Sequence, residues 1–227
     1  MNLIIVYIII SILLLRYIIL YLMAISFSPM LVNKKLYCHN PSKDGSYKIT
    51  EKHFPKPNKG TNFTFNFWLF LENVPENACR DSTIKDFIEI FQIENSSSYL
   101  RLQINQYSSD LKLLLCNDKN KEKDSKQDHL IINHIPNQRW VNISINIENK
   151  YIDVYFDGML YNSFYSPTII KFITPAHMEI ICSNKGFYGY ISKLRFFDTS
   201  IDYKRVNELY NNTREDPGSN NLLWWLA

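Results

Sequence analysis

Glycine is scarce in this 227-residue chain, at six residues, and the sequence holds no GxxxxGK[ST] phosphate loop, no G-x-S-x-G elbow and no HExxH helix. P-loop nucleotide hydrolysis, elbow-type serine hydrolysis and zincin proteolysis therefore lack the residues they run on. Cysteine is equally sparse. Cys38, Cys79, Cys116 and Cys182 lie far apart without a CxxC, and the five histidines (39, 53, 129, 134 and 177) show no zinc-ligand spacing. His129 and His134 are five apart on an expected strand and so face apart. A structural metal site is not indicated. Two disulfides in an oxidising compartment, or small buried thiols, both remain open for the cysteines. Charge of one sign is lacking too: the net charge is +3, with lysines interleaved among Asp and Glu. Without a concentrated basic footprint, nucleic acid is not an expected partner.

What the chain does have is apolar and aromatic bulk. Apolar residues make up 46% and aromatics 15%, with fifteen Tyr and fourteen Phe. That suffices for a real core and favours strands over helices.

The first long feature is apolar. Leu3 to Phe27 runs for twenty-five residues with one charge, Arg16. At about 1.5 Å per residue it exceeds the roughly 30 Å hydrocarbon thickness, so a membrane anchor over residues 1–28 is expected, with membrane as a partner. Arg16 near its centre costs about 2.5–3.5 kcal/mol on insertion scales, which the surrounding Ile and Leu outweigh. A cleaved signal peptide is the rival, through the small residues Ala24 and Ser26, although no basic residue precedes the run. Orientation stays open. Lys34, Lys35, Lys43 and Lys48 after the span favour a cytoplasmic domain, whereas sequons at Asn62, Asn95, Asn142 and Asn211 favour the other side.

Residues 29–57 are expected to form a stalk and first strand, leading to a sandwich over 58–227. In "FTFNFWLFL", Phe63, Phe65, Phe67, Leu69 and Leu71 share one face while Trp68 and Phe70 add apolar bulk to the other, as in a central strand. Phe87–Ile93, Tyr99–Asn105, Leu111–Cys116 and His129–Ile135 follow at the spacing of an all-β sandwich. The stretch Arg139–Phe164, "RWVNISINIENKYIDVYFDGMLYNSF", alternates with period two around Asn149-Lys150. Folded there, it pairs Ile147 with Ile152, Ile145 with Val154 and Ile143 with Phe156 on one face. Asn146, Ser144 and Asn142 then meet Asp153, Tyr155 and Asp157 on the other, and a one-residue slip would bury those polar groups. Asp157-Gly158 makes a second turn. "MEIIC" and "GFYGYISKLRFF" supply two more strands, Asp202 caps a short helix through Tyr210, and "NLLWWLA" is a last strand or docking tail. The mixed-sign segment Asn117–Asp128 is expected to be a solvated loop.

The order of Trp140 opening a strand, "VYFDGMLYNS", a Pro-containing loop, "GFYGYISKLRFFDTSI" and a helix ending "VNELY" resembles the concanavalin A-like lectin/glucanase superfamily, particularly its laminin G-like and pentraxin-like branch. The resemblance covers roughly Phe63 to Asn211. It implies an all-β fold, a jelly-roll sandwich of two antiparallel sheets with one short C-terminal helix. Glucanases of the superfamily carry E-x-D-x-x-E, with carboxylates about 5–5.5 Å apart for retaining hydrolysis. The nearest stretch here is "EIFQIE": Glu89 and Glu94 are present, Phe91 stands at the Asp position, and an unbroken strand would turn the two acids to opposite faces unless a bulge restored them. Relatives often bind calcium at one rim through acids and carbonyls, so calcium is a possible cofactor with Asp110, Asp118 and Asp157 as candidates. No catalytic residue is assigned, and the chain is not expected to be an enzyme.

These features point to a membrane-anchored, non-catalytic recognition domain for a glycan or protein ligand. Tyr99, Arg101, Gln103, Tyr151, Asp153 and Tyr155 are the candidate ligand-binding residues, mixing aromatic and polar groups on outward positions. The alternatives are a structural protein joining a membrane to a coat, for example in a large DNA virus particle, and a divergent glycoside hydrolase using Glu89.

Overall fold

The computed structural model describes residues 7, 10–18, 30–40, 45–50, 54, 60–74, 87–94, 99–116, 128–171, 177–215 and 217–218. Two antiparallel sheets form around the alternating strands read from the sequence. The first contains β1 (Met30–Val32), β2 (Leu36–Tyr37), β4 (Asn62–Leu71), β9 (Trp140–Glu148), β10 (Tyr151–Phe156), β11 (Met159–Tyr165) and β13 (Gly189–Phe197). Its order is β1-β13-β4-β9-β10-β11, with β2 also on β13. The second contains β3 (Ser46–Thr50), β5 (Ile88–Glu94), β6 (Tyr99–Asn105), β7 (Asp110–Cys116), β8 (Asp128–Ile132) and β12 (His177–Ile181), in the order β3-β12-β5-β6-β7-β8. Met30–Val32 and Leu36–Tyr37 thus join the first sheet and Ser46–Thr50 the second, within the span expected to hold a stalk and first strand.

The core forms where the two inner faces meet. Phe63, Phe65, Phe67, Leu69 and Leu71 of β4 are buried together with Ile143, Ile145, Ile147, Ile152 and Val154, as the alternation requires. Phe91 of the second sheet packs against Phe65 and Phe67, ring centroids 5.6 and 5.8 Å apart, and so ties the layers together. The hairpin register is the expected one: Ile147 pairs with Ile152, Ile145 with Val154 and Ile143 with Phe156. Asn149 (φ 55°) and the pair Asp157 (φ 49°) and Gly158 (φ 80°) take the left-handed conformations that tight hairpin turns demand.

The polar side of that hairpin departs from expectation, because Asn142, Ser144 and Asn146 are buried rather than solvated. Residues 199–213 lie across them. Asp202 caps α2 (Tyr203–Asn211), its Oδ1 accepting from the Arg205 amide at 2.8 Å, and α2 buries Val206 and Leu209. Trp68 donates from Nε1 to Thr213 Oγ1 at 2.8 Å, and Asn146 Oδ1 accepts from Thr64 Oγ1 (2.7 Å) and the Ile201 amide (3.1 Å). Burial is tolerated because the groups satisfy one another. Asn66 is the hub: it donates to Asn142 Oδ1 (2.9 Å) and Ser144 Oγ (2.8 Å) and accepts from Arg195 Nη1 (2.8 Å). Burial, with Arg205 nearby, pushes the Arg195 guanidinium down to about 9. Asn142 in this layer is one of the four sequons, so the folded domain has no room for a glycan there.

The apolar run Leu3–Phe27 falls mostly outside the described residues. Residues 10–18 are helical (α1) and expose their Ile and Leu side chains. Among the described residues no helix is long and apolar enough to cross a membrane. Cys79, Asp118, most of the loop 117–128 and the tail "NLLWWLA" also lie outside the described residues.

Candidate functional site

The outer face of the first sheet divides in two. One part is the polar layer beneath α2. The other, at the β2 end, is a row of aromatic rings, one from each of four neighbouring strands. Pairing places Tyr37 opposite Tyr190, Tyr190 opposite Phe70 and Phe70 opposite Trp140. At about 4.8 Å between strands the row extends roughly 14 Å. Because inner and outer positions alternate, burying Phe67, Leu69, Leu71, Val141 and Ile191 forces Phe70, Trp140 and Tyr190 outward.

The rings touch without stacking flat. Tyr37 and Tyr190 have centroids 4.9 Å apart at 42°, Phe70 and Trp140 5.5 Å apart at 58°. Phe70, Trp140 and Tyr190 are half-buried and Tyr37 is exposed, so ring surface is available to a ligand. Charged groups meet the row, and Lys35 lies over its rings. Lys35 Nζ lies 3.8 Å from the Tyr190 ring centroid and 5.8 Å from that of Trp140. Glu72 hydrogen-bonds both Tyr37 and Tyr190, whose hydroxyl pKa values are raised by burial first and then by this carboxylate. Gly218 approaches Trp140 at the far end. The arrangement offers apolar ring faces together with a donor and an acceptor, and among the described residues of the row no nucleophile and base are in contact.

The six residues singled out from the sequence do not form one surface. Tyr99, Arg101 and Gln103 stand on β6 in the second sheet, whereas Tyr151, Asp153 and Tyr155 stand on β10 in the first, so the two outward triplets face away from each other. Tyr99 is buried with Leu114 and Cys116 on the outer side of the second sheet, and Arg101 lies over its ring at 4.5 Å. Tyr155 is also buried; burial raises its hydroxyl pKa, and Asp153 and Asp202 add to the rise. Tyr151 is exposed and packs edge-on against Tyr165, and Asp153 accepts from Ser163. None of the row residues Tyr37, Tyr190, Phe70 and Trp140, nor Lys35 or Glu72, was among those six. The available signal was the recurrence of outward aromatics, in Phe70 beside Trp68 and in Trp140 at its strand start.

The bulge that could restore the acid pair is present. Between Glu89 and Phe91 the β5–β6 register shifts, which turns both Ile90 and Phe91 inward and leaves Glu89 and Glu94 on the same outer face. Arg101 stands between them, 3.6 Å from Glu89 and 3.8 Å from Glu94. Both acids therefore engage one guanidinium, and the position of the assisting Asp is held by buried Phe91. Next in the same face, Lys48 pairs with Glu179 at 3.0 Å and Gln92 donates to it at 3.1 Å; the Lys48 hydrogen bond is the main cause holding the Glu179 carboxyl below its ordinary range. Of the calcium candidates, Asp110 accepts from the His134 amide at 3.0 Å, and Asp157 engages Arg139 at 2.7 Å and the Asn142 amide at 2.9 Å. Among the described residues no three His, Cys, Asp or Glu cluster as metal ligands do.

No protein-family profile matches the chain, and no curated protein does. Solved structures do. The botulinum neurotoxin serotype G binding domain superposes with a TM-score of 0.59 at 17% identity, covering 78% of this chain and 41% of that one. The serotype D binding domain gives 0.58 at 16% identity, covering 78% and 42%. Botulinum neurotoxin type C, which depends on interaction with two ganglioside molecules to enter cells, gives 0.55 at 13% identity, covering 80% and 44%. This chain thus spans less than half the length of each. What it shares with them is the fold: an all-β sandwich of two antiparallel sheets.

Proposed function

We propose that this chain is a non-catalytic recognition domain of the concanavalin A-like type, held at a membrane by its N-terminal apolar segment, and that it binds a glycan across Tyr37, Tyr190, Phe70 and Trp140. The observation that carries this is the in-register aromatic row with Lys35 over the Tyr190 ring and Glu72 at the Tyr37 and Tyr190 hydroxyls. A sugar ring is amphipathic, with C–H groups that pack on an aromatic face and hydroxyls that need donors and acceptors at the rim. The row supplies both. A ganglioside, the molecule with which the type C neurotoxin interacts, is such a ligand, although that interaction belongs to a protein more than twice as long as the matched region. The tether is supported by the length of the Leu3–Phe27 run and by the exposed Ile and Leu of residues 10–18.

Glycan-array binding by the full chain tests the site. Removal of a hot-spot aromatic at an interface costs about 2 kcal/mol or more, so Trp140→Ala is expected to lower affinity at least about 30-fold. Tyr37→Ala, at an exposed position, should weaken binding while leaving the melting temperature unchanged. Arg101→Ala should bind as the parent does. Loss with Arg101→Ala but not with Trp140→Ala would move the site to the second sheet, and failure to bind any sugar alongside a stable protein complex would reject the glycan. For the tether, alkaline extraction should leave the full chain in the membrane pellet, and release into the supernatant would remove that part of the proposal.

A further inference from the structure

We propose that Cys38 and Cys182 are a reversible redox pair, whose disulfide locks the segment Leu36–Asn40 against the loop between β12 and β13. The two residues immediately precede His39 and Ser183, which form a parallel β-bridge, and the Asn40 amide donates to the Ser183 carbonyl at 3.0 Å. Side chains one position before a parallel-bridged pair point to the same side, and neighbouring strands place their Cα atoms about 4.8 Å apart. A disulfide needs Cα atoms roughly 4.4–6.8 Å apart, so this register suits one. The cysteines stand here as thiols that influence each other, and the Cys38 thiol donates to the Leu36 carbonyl at 3.7 Å.

The two sulfurs are not equivalent. Cys38 is fully buried in the core, whereas Cys182 is only half-buried against it. Burial raises the Cys38 thiol well above its ordinary value, and Cys182 adds to this. Oxidation therefore starts at Cys182. Its thiolate attacks a disulfide of the oxidised-glutathione class, forming a mixed disulfide and releasing one reduced thiol. Cys38, deprotonated as it reacts, attacks the Cys182 sulfur and releases the second reduced thiol. The protein loses two protons and two electrons, and the oxidant's disulfide becomes two thiols. The locked segment carries Tyr37, and the His39 ring stacked 3.9 Å from that of Tyr188, so the cross-link fixes one end of the aromatic row without depending on what the row binds.

The test is to equilibrate the full chain in glutathione buffers of graded redox poise, then alkylate, digest without reduction and identify linked peptides. A Cys38–Cys182 peptide that appears under oxidising poise and disappears with dithiothreitol is expected. The linked form should melt roughly 5–15 °C higher, since the cross-link closes a loop of more than half the chain. Cys182→Ser should abolish both changes and Cys116→Ser neither. Linkage of Cys38 or Cys182 to another cysteine instead, absence of the linked peptide at every poise, or a linked form no more stable than the reduced one would overturn the proposal.

Discussion

Gly189→Ala is expected to destabilise the domain by more than about 3 kcal/mol, enough to leave much of it unfolded at moderate temperature. Gly189 has φ 152°, a conformation L side chains rarely adopt, and a Cβ there would overlap the Phe70 carbonyl oxygen and sit 2.9 Å from the Phe187 ring. Neither obstacle can rotate away. Phe70 is held in the β4–β13 ladder, where Gly189 pairs with Leu71, and on the other side the Gly189 carbonyl accepts from the Cys38 amide at 2.9 Å. The glycine is thus flanked by backbone from β4 on one side and from the residue after β2 on the other, one residue before Tyr190. Gly45→Ala is the matched control, because nothing lies within 4 Å of a Cβ there. Urea midpoints should separate the two variants widely; similar midpoints would mean that β13 has slack at its start.

Asn66→Leu should cost about 3–5 kcal/mol, for a different reason. The substitution keeps the branched outline of the side chain but removes one acceptor from the buried Arg195 guanidinium and both donors that hold Asn142 and Ser144. A buried charge deprived of a partner is far more costly than no charge at all. Pairing the change with Arg195→Met should therefore recover a substantial part of the loss, since an apolar side chain of similar volume replaces the charge. Chemical denaturation of the two single variants and the double one decides the matter. A double variant no more stable than Asn66→Leu would show that packing under α2, not the charge, sets the cost.

The elements that were legible beforehand share one property: their evidence is local. The β9–β10 hairpin register follows from the alternation of Ile143, Ile145 and Ile147 with Ile152 and Val154 around a two-residue turn, and the structure reproduces it pair for pair. The Asp202 cap and the inward face of β4 were equally readable. The six candidate residues do not share one surface, because that depended on which sheet each strand joins. β6 and β10 look alike as outward-facing ribbons, but they lie in different layers. The polar face of β9 was expected in solvent because nothing nearby in sequence announces that residues 199–213 return to cover it. The β5 bulge was conceivable and could not be placed, since it depends on how β6 is held against it.

By itself, the sequence determined that strands alternate, which side of each is apolar, where the tight turns fall and that a short capped helix follows the last long strand, because period, turn chemistry and caps act over a few residues. Tertiary structure alone decided that Tyr37, Tyr190, Phe70 and Trp140 form one row, that Glu89 and Glu94 share Arg101, and that Cys38 meets Cys182. Those neighbours are brought together by pairings between strands distant in the chain. Hydrophobic alternation fixes inside and outside for each strand but carries no information about which strand lies beside it.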